Sequence, residues 1–175
     1  MAYELDEKQF PLERRFKATV ATLNQYLSTY NLAIYEKFGD RGIELIAEIW
    51  AKMADKFFLG SFERLGFKGN GPRDIAEWFA KSDAIVGYET EFFELPDGRA
   101  GFRVTNCPWY DAPSAAGARI CSEGVIAFER RAAELLNPNL RVSLGKFFHC
   151  GDGCCEYIFE LSQDQPEPNR SENRP

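Results

Sequence analysis

The chain has 175 residues and a mass of 19.9 kDa, which is room for one domain. A chain of this length buries roughly 70% of the surface it would expose unfolded, so it folds without a disulfide staple. A net charge of -6 argues against sequence-independent nucleic-acid binding, which relies on clustered cations, and the single His excludes any mechanism or metal site that needs two from one chain.

The N-terminus, MAYELDEKQF, carries charges where a secretory signal would need an apolar run, and no stretch of about 18 apolar residues occurs. The expectation is a cytoplasmic protein without a membrane partner, its thiols kept reduced. Five cysteines, an odd number, fit free thiols or ligands better than a complete disulfide set.

In chain order, Leu12, Phe16, Leu23, Leu27, Tyr30, Ile34 and Phe38 mark one apolar face of a long helix that Gly39 ends. Ile43, Ile46, Trp50, Met53 and Phe57 repeat the pattern in a second helix, with Gly60 near its end. A third begins at Pro72, and Ile75, Trp78 and Phe79 supply its apolar face. All three are expected to pack in the core. Tyr88 to Leu95 and Arg99 to Thr105 then read as a hairpin turned by Pro96-Asp97-Gly98. After a Pro/Ala/Gly-rich connector (108–118), Ser122 is expected to cap a fourth helix, lined by Val125, Phe128, Ala132, Leu135 and Leu136 and stopped at Asn137-Pro138. Leu140, Val142, Leu144, Phe148 and Cys150 alternate on a third strand. Cys155, Tyr157, Phe159 and Leu161 alternate on a fourth, with Gly151-Asp152-Gly153 as the turn. The predicted fold is α+β, a four-stranded antiparallel sheet with helices packed on it in the order ααα-ββ-α-ββ. It is a single domain over 1–161. Residues 162–175 lack aromatic and β-branched side chains and read as a disordered tail.

All five cysteines fall in the second half. Cys107 follows the first hairpin, where Pro108 holds it extended. Cys121 precedes the proposed cap, where the positive helix end is expected to favour a thiolate, with Glu123 in the first turn partly opposing that shift. Cys150 and Cys155 are expected to pair across the final hairpin, able to bind a metal together or to oxidise, with His149 and Glu156 on the opposite face and Cys154 in the turn. The cysteines and His149 are the donors available for zinc or another thiolate-bound metal, although none is required and no CxxC repeat is present. His149 alone has an unperturbed pKa near neutrality. Tyr88, Phe92, Phe102, Trp109 and Tyr157 are candidates to line a pocket between sheet and helices. Each of these residues also has a plain structural reading, as packed core, turn or solvated face. Walker, GxGxxG, GxSxG and HExxH motifs are all absent.

The segment Thr105-Asn106-Cys107-Pro108, then Cys121 followed by Glu123, then Asn137-Pro138-Asn139, then Gly151-Asp152 with Cys155, resembles the L-2-amino-thiazoline-4-carboxylic acid hydrolase-like family over the C-terminal two-thirds. The resemblance implies hydrolytic opening of a thiazoline ring to N-carbamoyl-cysteine. It places Cys107 and Cys121 at the site with Glu123 nearby, and Asp152 and Cys155 in the final hairpin. In the enzyme reading, water or the thiolate of Cys121 or Cys107 attacks the C=N carbon and Glu123, Asp152 or His149 moves protons as catalytic residues, while Trp109, Asp152 and Tyr157 are candidates to contact the substrate. The acid after Cys121 departs from the aspartate expected there. The Gly-Asp-x-x-Cys ending also looks like the 4-vinyl-reductase domain, a small-molecule-binding module that in some proteins binds zinc near this hairpin. Phe147 stands near the place of a cysteine expected upstream, and Cys150 abuts the turn instead. The expected partner is a small-molecule ligand or substrate, and a homo-oligomer stays open. The alternatives are an enzyme opening a C=N ring, a binding module without chemistry, and a structural protein with buried cysteines.

Overall fold

A computed structural model describes residues 8, 11–107, 109 and 114–162. The expected disordered tail lies outside the described residues, apart from Ser162. Three helices come first: α1 (Leu12–Phe38), α2 (Asp40–Arg64) and α3 (Pro72–Ile85). Gly39, at φ 56°, turns the chain from α1 into α2 while its N–H closes α1 on the Tyr35 carbonyl. Pro72 opens α3, and the Asp74 carboxylate accepts the Gly71 N–H at 3.1 Å. Strands β1 (Thr90–Glu94) and β2 (Ala100–Val104) form the first hairpin around Gly98, at φ 84°. A helical segment then runs as α4 (Ala115–Arg119), a π-helical turn (Ile120–Val125) and α5 (Ala127–Leu136). Strands β3 (Leu140–Leu144) and β4 (Cys155–Leu161) finish the domain.

The sheet is antiparallel throughout, in the order β1-β2-β4-β3, so the last strand enters between the first hairpin and β3. The fold is α+β, with the element order read from the sequence. Register places Phe92, Phe102, Val104, Cys155, Tyr157, Phe159 and Val142 on the face toward the helices. There Phe79 of α3 stacks on Phe102 and Phe159 at 5.1 and 5.6 Å, and Phe102 stacks on Tyr157 at 4.7 Å. Phe58, Phe62, Ile75, Trp78, Ala132 and Leu140 complete this core. The opposite face carries Arg103, paired with Glu156 at 2.6 Å and Glu91 at 2.9 Å.

Three expectations are corrected. The first concerns α1, whose fully buried residues are Asn24, Ser28 and Asn31, whereas Leu12, Phe16, Leu23, Tyr30 and Phe38 stay exposed. Asn24 holds that orientation by accepting hydrogen bonds from Tyr88 Oη–H at 2.9 Å and Trp109 Nε1–H at 3.1 Å. The second concerns the fourth helix, which starts eight residues early. Ser114, not Ser122, accepts the first-turn N–H, from Gly117 at 3.0 Å, and the Ser122 hydroxyl donates to the Ala118 carbonyl. Ala115, Ala116 and Ala118 are strong helix formers, and this outweighs the single glycine between them. The third concerns β3, which ends at Leu144. Phe148–Cys150 form a 3₁₀ turn, and the Asp152 carboxylate caps the loop by accepting the Phe147 N–H at 2.8 Å. Cys150 therefore is not the cross-strand partner of Cys155, which pairs with Val104 of β2, and His149 and Glu156 do not share a strand face.

Candidate functional site: a cavity between helices and sheet

Where the inner sheet face runs past the core, the helices do not close on it. They leave a cavity of about 410 Å³, within the size range of ligand pockets. Each wall comes from a different element. Helix α1 contributes Leu23, Asn24 and Leu27; α2 contributes Trp50, Met53 and Phe57; α3 contributes Trp78, Ser82 and Asp83. Val104 and Tyr157 form the sheet wall, and Cys121, Val125, Phe128 and Glu129 line the π-turn and α5 side. The surfaces are mostly aromatic and aliphatic. Trp50 packs against Trp109 at 5.4 Å and edge-on to Phe128 at 6.2 Å.

The cavity separates the cysteines. Cys107, Cys121 and Cys155 line it, while Cys150 and Cys154 do not, and Cys150 is exposed in its 3₁₀ turn. Cys121 does not stand before a helix start. It sits within the π-helical turn, where the Ile126 N–H reaches back to its carbonyl at 3.1 Å. The expected thiolate is reversed there: burial pushes the Cys121 thiol well above the ordinary range, and neighbouring Cys107, Cys155 and Glu129 add to the rise. Burial likewise raises Cys155 to about 11.

Of the other expected site residues, Trp109, His149 and Tyr157 line the cavity. The His149 ring lies against Gly117, where a Cβ would collide with the imidazole, and its Nδ1 accepts the Ser114 N–H at 3.1 Å. Burial lowers its pKa, which favours the neutral ring. Glu123 and Asp152 are outside the cavity lining. The Glu123 carboxylate is held by both Arg119 Nε and Nη2 at 2.9 Å, and that guanidinium lowers its pKa. Asp152 caps its loop.

Two acids that the sequence reading passed over do line the cavity, Asp83 and Glu129. Burial raises Asp83 to about 7, against the Ser82 hydrogen bond. Burial raises Glu129 to about 8, and Asp83 adds repulsion. Glu129 is 9% exposed, and its Oε2 has no hydrogen-bond partner among the described residues. Among the described residues no lysine or arginine lines the cavity, and no group of three or more His, Cys, Asp and Glu is arranged to hold a metal.

No protein-family model matches the chain, and no curated protein matches it. Among solved structures, it is similar to a trafficking protein particle complex subunit 3 from Naegleria fowleri, described as covalently bound to palmitic acid. Identity is 17% and the TM-score 0.62, over 84% of this chain and 97% of that one. At that identity the likeness establishes a shared fold: helices packed on one face of a four-stranded antiparallel sheet. None of the described helices is long and apolar enough to cross a membrane.

Proposed function

We propose that this chain is a small-molecule-binding module that takes a largely apolar ligand into the cavity between helices and sheet, in the cytoplasm. The observation that carries this reading is the cavity itself, which is lined by aromatic and aliphatic side chains from every layer of the fold and by a few convergent polar groups. The Naegleria fowleri protein supports it as a chain of the same fold described with a fatty acid attached. The reading agrees in kind with the 4-vinyl-reductase-like resemblance, while zinc gains nothing from Cys150 and Cys155, which lie apart in the strand register.

A titration calorimetry experiment with 2-phenylethanol and, separately, with palmitic acid tests it. Saturable one-to-one binding of either is expected, lost when Val125→Trp fills the cavity in a variant that keeps its fold by circular dichroism. Absence of binding by both probes, or binding unchanged in the variant, refutes it.

Ring-opening hydrolysis is a second reading, favoured by one observation. Asp83 and Glu129 have been moved toward neutrality, where a carboxyl transfers protons most effectively. Water would add to the C=N carbon and the ring C–S bond would break, with the departing sulfur taking a proton. The raised Cys121 thiol suits this water route better than thiolate attack. The lining described is mostly aromatic and aliphatic, with few polar groups to hold a small, highly polar substrate, which places this reading second. Incubation with L-2-amino-thiazoline-4-carboxylate and mass detection of the water adduct decides it.

A further inference from the structure

Glu129 is the least explained group in the cavity. Its carboxyl is nine-tenths buried, and one oxygen has no partner among the described residues. A buried acceptor left unsatisfied is destabilising, and native folds avoid it unless something else meets the group. Asp83 stands in the same cavity from α3. The same cavity is lined by Trp50, Trp109, Phe128 and Tyr157, aromatic side chains of the kind that attract cations. Among the described lining residues none supplies a competing positive charge, since His149 is driven toward its neutral form.

We propose that the cavity binds a monovalent organic cation with a hydrocarbon body, an ammonium or amidinium, whose charged end is held by Glu129 and Asp83 and whose body lies against the aromatic walls. The inference rests on the cavity being a binding site and specifies its ligand. A metal ion fits less well, because the acids lack a third ligand in the required arrangement and the remaining lining is apolar.

The charge balance gives the proposal a signature. At pH 7 the empty cavity holds Glu129 protonated, because burial has raised it to about 8. A bound cation takes the carboxylate, so the Glu129 proton leaves to the buffer on binding. The groups that act on this carboxyl are Asp83 from α3 and Arg130 on its own helix. Tyr88, Cys121, Cys155 and Tyr157 in turn feel its charge. Of these acids only Asp83 also titrates below pH 8. Affinity therefore rises about tenfold per pH unit up to about 8, and more steeply where Asp83 shares the load.

The test compares 2-phenylethylammonium with the neutral 2-phenylethanol by titration calorimetry at pH 6, 7 and 8, in two buffers of different ionisation enthalpy. The ammonium is expected to bind at least about tenfold tighter than the alcohol at pH 8, to weaken toward pH 6, and to release about one proton at pH 6–7. Glu129→Gln, in a variant that keeps its fold by circular dichroism, should reduce the ammonium to the affinity of the alcohol and abolish proton release. Asp83→Asn should give a partial loss. Equal affinity for the two probes, or an ammonium affinity independent of pH, overturns the cation assignment and leaves the binding module standing. Failure of both probes to bind overturns the cation assignment, and failure of palmitic acid as well overturns the binding module with it.

Discussion

Replacing Glu129 by Gln should change how stability depends on pH, in a direction the structure fixes. Glu129 has an ordinary carboxyl pKa of 4.5 when unfolded and about 8 when folded. A group raised on folding binds more protons in the native state between those values, so its favourable contribution is full below about 4.5 and is lost as pH rises through about 8. At about 1.4 kcal/mol per tenfold change in proton affinity, the interval from 4.5 to about 8 corresponds to roughly 4–5 kcal/mol. Gln keeps the shape and neutral polarity of the protonated acid but cannot ionise. Urea unfolding at pH 5, 7 and 9 should therefore find the variant within about 1 kcal/mol of wild type at pH 5 and more stable by roughly 2–4 kcal/mol at pH 9. Asp83 titrates in an overlapping window, from 3.8 to about 7, so the variant keeps part of the alkaline decline. The exposed acids with lowered pKa, Glu13, Asp97 and Glu123, act below about pH 4.5 and do not mask the effect. Equal pH slopes in the two proteins, or a variant weaker than wild type at pH 9 by as much as at pH 5, would refute a buried, desolvated Glu129.

Thiol chemistry should divide the cysteines by place. Exposed Cys150 should be alkylated by N-ethylmaleimide in the native protein, and Cys121, whose thiol burial holds protonated, should react roughly a hundredfold more slowly until the chain unfolds, as mass spectrometry of peptides would show. A Cβ added at Gly101 of β2 would run into the Phe93 ring and stand 2.5 Å from the Tyr157 carbonyl oxygen. Gly101→Ala should lower stability by about 2–4 kcal/mol in urea unfolding, because the obstructing atoms include backbone.

The fold was legible because local signals and tertiary packing agree over most of the chain. Pro72 starts α3, Pro96-Asp97-Gly98 turns the first hairpin, and the alternation from Cys155 to Leu161 is the strand β4. The errors arise where periodicity identifies a face without identifying what covers it. Along α1 the apolar stripe is real, but the interior takes Asn24, because Tyr88 and Trp109 give its side-chain oxygen two donors. Those donors are 64 and 85 residues away in sequence. The alternation from Leu140 to Cys150 mixes a true strand with a 3₁₀ turn, whose residues happen to continue the period of two until Asp152 folds back to cap Phe147.

The site was half legible for a related reason. Cysteines are rare enough to draw attention, and three of the five do reach the cavity. Carboxylates are common, and Glu129 beside Arg130 and Arg131 reads as part of a solvated helix face. Its burial follows from its place on the inward face of the segment that begins with the π-helical turn, where Cys121, Val125, Phe128 and Glu129 stand at positions i, i+4, i+7 and i+8 and line the cavity together. Gly124 permits that turn to approach α2, because a Cβ there would stand 2.8 Å from Ile46 Cγ2. One inward helical face therefore does two things that pull in opposite chemical directions. It buries Cys121, which suppresses the thiolate, and it buries Glu129, which brings a carboxyl's titration near neutrality. Any ligand chemistry in the cavity that depends on charge or proton transfer is consequently carried by the acids, with the thiols acting as small apolar walls.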